Sequence, residues 1–175
     1  WAETMVPGLF NKDEYAERFR AQVRELGVPT LCGSDWIHEE DMQKTDEYEQ
    51  RWYNSALALD GSGQLLGRYS KRRLVPFGEY IPFTAQFPFM KVFRSVTRDT
   101  YVAGEAPSPV IPVAGLKVTL NICVEDTHPL VAREALAAGA DCMINLSNDG
   151  WFKGSGGPEA HMQAASFRAV EARRP

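Results

Sequence analysis

The sequence predicts an α/β layer fold, a mixed sheet covered by helices. Three observations predict it. Apolar residues recur at helical spacing over 12–26, and further helical stretches follow at 129–138 and 159–173. Short apolar or β-branched runs alternate loosely with them at 30–33, 52–59, 64–74, 110–113, 116–122 and 142–146. Several of those runs are joined by tight glycine turns, which give hairpins, and strands mixed with helices pack in layers.

With 175 residues the chain can bury a proper core as one domain, residues 1–175. Lys+Arg number 19 against Asp+Glu 23, and neither a basic run for nucleic acid nor an acidic tail is present. Cys32, Cys123 and Cys142 are an odd count without metal-ligand spacing, which points to neither a disulfide framework nor a zinc site. No apolar run is long enough to span a bilayer, and no signal peptide is visible. The chain starts at Trp1 without a methionine and stops at Pro175 straight after a helical pattern, so it reads as a fragment of something longer.

In order, Trp1 to Thr4 reads as the tail of a strand. Asn11 with Glu14 three residues on resembles a capped helix start, and Tyr15, Phe19, Val23 and Leu26 then mark one face. Gly27 and Pro29 end that helix. Residues 38–50, mostly charged and polar, predict an exposed loop. Asp60-Gly61-Ser62-Gly63 is a hairpin turn between the strands at 52–59 and 64–74. From Pro76 to Val96 prolines break regular structure, while Phe77, Phe83, Phe87, Phe89 and Phe93 load it with aromatic bulk. Such a loop either packs over a cavity or is presented to something apolar. Ala114-Gly115 joins the next strand pair. Pro129 opens a helix whose buried side draws on Leu130, Val131, Ala135, Leu136 and Ala138, and Gly139 stops it. The run 142–146 resembles a strand inside a covered sheet. Ser147 to Phe152 leaves it as a loop, and a glycine-rich turn leads to the last helix.

The strand 116–122 delivers Cys123 to the point where the chain stops being apolar, a place suited to a nucleophile. Taken alone, Cys123 reads equally as a small buried hydrophobe. A cysteine nucleophile needs a base for its proton and donors for the oxyanion it creates. Glu3, an acid at a strand end, suits the base. Lys71, late in its strand, suits the donor. Glu79 is a carboxylate among apolar residues, which when buried needs a cation such as Lys71.

Four segments together carry a resemblance: Trp1 to Thr4 with Val6-Pro7, Tyr69 to Pro82, Asn121 to Glu125, and Ser147 to Phe152. In this order they resemble the nitrilase superfamily, and the Leu74-Val75-Pro76-Phe77-Gly78-Glu79 run resembles its lipoprotein-acylating branch. The resemblance implies a nitrilase-like αββα sandwich, mixed sheets covered by helices, truncated at both ends. It implies Glu3 as general base, Cys123 as nucleophile, Lys71 and the Val124 N–H as oxyanion donors, and Glu79 as an accessory catalytic glutamate. It places Glu125, Trp151, Phe152 and His161 at substrate-binding positions. It implies no metal and no organic cofactor. The implied reaction moves a fatty acyl chain from a phospholipid donor, through a cysteine thioester, to the N-terminal amine of a diacylglyceryl-cysteine lipoprotein acceptor. The full-length protein would then sit in the bacterial inner membrane with this domain on the periplasmic side, the fragment itself being soluble. Arg73 and Val124 depart from the branch, which often has a histidine and an aromatic residue there. Two alternatives stay open: a soluble amidase or carbamoyl hydrolase with the same triad, and an inactive fragment.

Overall fold

Along Trp52–Leu59 every residue from Asn54 onward is buried, and successive side chains face two different cores. Ala56 and Ala58 join Tyr69, Ile111, Val118, Leu120 and Ile122. Leu57 and Leu59 join Val6, Phe10, Phe19, Val23 and Cys32. The period of two along a strand forces this split, so each face of the sheet needs a covering layer. The computed structural model describes residues 2–45, 49–84, 86–95 and 101–175, and it shows both layers.

One sheet consists of β1 (Val6–Leu9), β2 (Thr30–Ile37), β3 (Trp52–Leu59) and β4 (Leu65–Ser70), in that order. β1 runs parallel to β2, and the other neighbours are antiparallel. The second sheet consists of β5 (Ile111–Val113), β6 (Leu116–Ile122) and β7 (Cys142–Leu146). There β5 pairs antiparallel with β6, and β6 runs parallel to β7. The two sheets pack face to face through the first core. Helix α1 (Glu14–Leu26) closes the outer face of the four-stranded sheet with Ala16, Phe19 and Val23. Helices α2 (Pro129–Ala137) and α3 (Gly157–Ala172) pack on each other beside β7 and the turn after β6. Each fully buried large apolar side chain contributes about 1.5–3 kcal/mol relative to exposure. The result is the αββα sandwich with mixed sheets.

Several local expectations change. Trp1 lies outside the described residues, and Glu3 and Thr4 form a turn rather than a strand tail. The first strand is Val6–Leu9 instead, entered through a Thr4 with φ of 48°. Asn11 does not cap α1. Its amide donates to the Ile37 carbonyl at 2.9 Å and its oxygen accepts the Ile37 N–H, so it ties the helix approach to β2. Tyr15 and Leu26 are exposed, as are Leu130 and Leu136 of α2, whose buried side is Val131, Ala132 and Ala135. The segment at 38–50 is not simply exposed. Asp41 is buried and accepts Arg51 Nε and Lys44 Nζ, each at 2.7 Å; residues 46–48 lie outside the described set. β7 is an edge strand of its sheet, and only Leu146 is fully buried.

The aromatic loop is presented rather than packed. Phe77, Phe83, Phe87 and Phe89 are exposed, and Ile81 alone among the described residues of 77–90 is buried. Phe77 and Phe83 adopt left-handed φ of 61° and 63°, uncommon for bulky residues.

Candidate active site

β6 ends at Ile122, and the chain turns sharply at Cys123, whose φ is 53°. A left-handed non-glycine costs of order 1–3 kcal/mol and persists only where neighbours hold it. Asn145 of β7 donates its amide to the Cys123 carbonyl at 3.0 Å and to Asp126 Oδ2 at 2.9 Å. Glu125 Oε2 accepts the Ile122 N–H at 3.0 Å. These bonds clamp the turn, and Cys123 is buried there, 5% exposed.

Lys71 follows the last residue of β4 rather than lying within the strand, yet it keeps the pairing going. Its N–H donates to the Asn54 carbonyl at 2.8 Å, and its carbonyl accepts the Gly104 N–H at 2.8 Å. The ammonium, 1% exposed, donates to Glu79 Oε1 at 2.9 Å and to Glu3 Oε1 at 3.3 Å. Asn54 Nδ2 bridges the same two oxygens at 2.6 and 2.9 Å. Glu3 Oε2 also accepts the Asn148 N–H at 3.3 Å, and Glu79 Oε2 accepts the Val75 N–H at 2.8 Å. Burial pulls the Lys71 pKa down, but Glu3 and Glu79, with Cys123 adding, overcome it and raise it on balance. Lys71 is therefore an ammonium held between two carboxylates.

Burial pushes the Cys123 thiol up to about 11; Lys71 pulls it back, Glu3 opposes that, and the Ser147 hydroxyl and Val124 N–H pull it back further. The sulfur is a thiol at neutral pH, flanked by a carboxylate, an ammonium and a backbone N–H. Such a set can take a proton from sulfur as it attacks and can meet negative charge on the attacked carbonyl.

Glu125, assigned to substrate binding by resemblance, is fully buried. It is 0% exposed, and its Oε1 accepts Tyr69 Oη at 2.7 Å and the N–H groups of Arg72 at 2.8 Å and Arg73 at 3.1 Å. With Ile122 on Oε2, this carboxylate ties the segment after Lys71 to the segment before Cys123. Arg72 is held further by Glu134 of α2 at 2.6 Å. His161 is buried, 8% exposed, with Nδ1 3.0 Å from Asp149 Oδ1 and its ring edge-on to Phe152 at 5.3 Å. Phe152 and the backbone of Trp151 lie in a short 3-10 turn, Asp149–Phe152. Glu3, Lys71, Glu79, Cys123 and Val124 thus come together, Glu125 ties the segments that carry Lys71 and Cys123, and Phe152 packs against His161. Sequence reasoning assigned no role to Asn54, Ser147 or Asp149. The visible signal is an amide, Asn54, in a strand whose last four residues, Ala56 to Leu59, are apolar.

A four-layer αββα sandwich with acid, lysine and cysteine gathered at its strand ends is a nitrilase-type protein. An amidase from Nesterenkonia sp., a mutant carrying the acetamide moiety of fluoroacetamide at its active site cysteine, shares the fold with a TM-score of 0.63 at 19% identity, covering 99% of this chain and 56% of that one. A carbon-nitrogen hydrolase from Helicobacter pylori aligns with a TM-score of 0.58 at 19% identity, over 94% of this chain and 51% of that one. The family model described as carbon-nitrogen hydrolase matches residues 1–175, and the chain belongs to that family. It is 35% identical over 177 residues to apolipoprotein N-acyltransferase of Azotobacter vinelandii and 33% identical over 182 residues to that of Geobacter metallireducens. These matches cover 99% and 100% of this chain, which spans about a third of each relative's length, 32% in both cases. Among the described residues no helix is long and apolar enough to cross a membrane.

Proposed function

We propose that residues 1–175 are catalytic-domain sequence of an N-acyltransferase that moves a fatty acyl chain from a phospholipid to the N-terminal amine of a diacylglyceryl-cysteine lipoprotein. The observation that carries this reading is the shared lysine: one buried ammonium touches both Glu3 and Glu79 and lies within electrostatic reach of Cys123. Relatives named apolipoprotein N-acyltransferase, matched over nearly the whole chain, support the choice of acyl chemistry. The exposed Phe77, Phe83, Phe87 and Phe89 support an apolar substrate delivered from a lipid surface. Membrane attachment of the whole protein, on the periplasmic side of a bacterial inner membrane, belongs to the same proposal.

In the first half, Glu3 takes the Cys123 proton while sulfur attacks the ester carbonyl of the phospholipid. Lys71 and the Val124 N–H meet the oxyanion. Collapse breaks the acyl–oxygen bond, Glu3 returns the proton to the leaving alkoxide, and a lysophospholipid departs. In the second half, the lipoprotein amine attacks the thioester and gives its proton to Glu3. The carbon–sulfur bond breaks, and the thiol is restored. Both halves are acyl transfers and consume no other reactant.

The test supplies the protein, in mixed vesicles, with a phospholipid whose acyl chain is isotopically labelled and a diacylglyceryl-cysteine peptide. Label in an amide at the peptide N-terminus is the expected result. Label recovered only as free fatty acid, with the amine untouched, would instead mark a hydrolase that uses water as acceptor.

A further inference from the structure

β7 is apolar except for Asn145, and the acyl-transfer scheme gives that residue no part. Its amide nitrogen is turned wholly to the end of β6. Nδ2 donates to the Cys123 carbonyl at 3.0 Å and to Asp126 Oδ2 at 2.9 Å. The amide oxygen, Oδ1, is buried and has no partner among the described residues. A buried acceptor left unmade calls for an explanation. Asp126, 2% exposed, supplies one. Turned over, the amide would set Oδ1 against a carbonyl and a carboxylate oxygen, both acceptors. The carboxylate therefore keeps the nitrogen facing the turn.

The Cys123 carbonyl belongs to the same peptide unit as the Val124 N–H. That unit is planar and trans, so its N–H points opposite to its carbonyl. Whatever grips the carbonyl thus sets the direction of the N–H. The N–H is available, because Val124 is the second residue of the 3-10 turn Cys123–Thr127, where the first N–H groups have no partner within the turn. A donor on the carbonyl also polarises the unit and strengthens its N–H. Cys123 itself is left-handed, a conformation that neighbours must hold.

We propose that Asn145 is a positioning residue for the oxyanion donor: its amide fixes the plane of the Cys123–Val124 peptide and so aims the Val124 N–H, while Asp126 holds the amide in its donating orientation. Asn145 touches no reacting atom. It acts as the tetrahedral oxygen forms, when the N–H meets new negative charge. This inference rests on the reading of Cys123 as nucleophile and of the Val124 N–H as oxyanion donor.

The experiment compares two reactions of the Cys123 sulfur, resolved by peptide mass spectrometry from Cys32 and Cys142. p-Nitrophenyl butyrate, an activated ester, acylates the sulfur through a tetrahedral oxyanion. The sulfur–acyl bond forms, the Cys123 proton goes to Glu3, and the ester carbon–oxygen bond breaks to release p-nitrophenolate. Iodoacetamide alkylates the same sulfur by displacing iodide, and no oxyanion forms. In Asn145→Ala the acylation rate at saturating ester should fall about ten- to hundredfold, less than the roughly 10²–10³ lost when an oxyanion donor is removed outright, with the half-saturating concentration unchanged. Alkylation should stay within about threefold of wild type, because it develops no charge for the donor to meet. Asp126→Asn, whose amide oxygen can still accept from Asn145, should keep most of the acylation rate, and Asp126→Leu should lose it as Asn145→Ala does. Equal slowing of both reactions in Asn145→Ala would mark a loosened turn and overturn the proposal, as would acylation at the wild-type rate. Where Asn145→Ala does not fold, the two Asp126 variants make the same comparison, and equal acylation rates in them would overturn it. The phospholipid assignment is not at stake with this ester. Wild-type Cys123 that is alkylated but never acylated would instead sink the nucleophile reading, and this inference with it.

Discussion

Lys71 Nζ donates to Glu3 Oε1 at 3.3 Å, joining residues 68 positions apart that flank β1 and β4, the two outer strands of the four-stranded sheet. Asn54 on the neighbouring strand donates to the same oxygen at 2.6 Å. Two donors on one carboxylate oxygen fix its orientation, and the proposed scheme relies on the capacity of that carboxylate to take the Cys123 proton. Glu3→Gln keeps the size of the side chain and an acceptor oxygen but removes that capacity. Thioester formation should fall by about 10²–10⁴-fold while the fold persists. Lysophospholipid release in a single turnover checks this, with circular dichroism as the control.

Removal of Lys71 should cost stability as well as activity. Lys71→Met leaves Glu3 and Glu79 facing each other in a buried site without their cation. Breaking a buried pair from one side destabilises by about 3–5 kcal/mol, and urea unfolding should show a lowered midpoint of that order. Pairing the change with Glu79→Gln should recover part of the loss, because one of the two uncompensated charges is gone.

Glu125 governs the link between the Lys71 segment and the Cys123 turn. Glu125→Ala leaves the Tyr69 hydroxyl and the N–H groups of Ile122, Arg72 and Arg73 without their acceptor. Each unsatisfied buried group costs about 1–3 kcal/mol. Hydrogen exchange at the Arg72 and Arg73 amides should accelerate more than exchange in α1, which lies on the far side of the first sheet.

Alkaline pH should weaken the fold through its buried thiols. Burial pushes Cys32 from 9.0 up to about 12, with Arg20 pulling it back slightly. Below 9 the thiol is protonated in both states, and its contribution is fully present. Between about 9 and about 12 the unfolded thiol ionises while the folded one does not, so stability falls by about 1.4 kcal/mol per pH unit from this group. Cys32→Ala should remove that slope from the urea midpoint measured across this range.

The elements that sequence reading found are those whose signal is local. β3, β6 and β7 were visible as runs of 8, 7 and 5 residues bounded by turns, and each was recovered with the bounds the structure shows. Gly27 ends α1 with φ of 64°, as a glycine at that place should. β1 was invisible because Val6-Pro7-Gly8-Leu9 carries two strand breakers, and only its parallel pairing with β2 makes it a strand. Asn11 misled because an Asx side chain near a helix start has a second use, here a backbone carbonyl 26 residues away. Glu3, Lys71 and Cys123 stand out in the sequence through motif order. The hydrogen bonds of Glu125 to Tyr69, Arg72 and Arg73, and of Asn54 to Glu3 and Glu79, do not, since only the folded chain brings those distant partners close.

The central claim is that Cys123 takes the acyl group and Glu3 makes it able to do so. The most direct measurement is intact and peptide-resolved mass spectrometry of the protein after brief exposure to a short-chain phospholipid, without an amine acceptor. The account predicts a hydroxylamine-labile acyl adduct on the peptide carrying Cys123, lost in Cys123→Ala and strongly reduced in Glu3→Gln. An adduct on Cys32 or Cys142 instead, or equal acylation of Cys123 in Glu3→Gln, would contradict it.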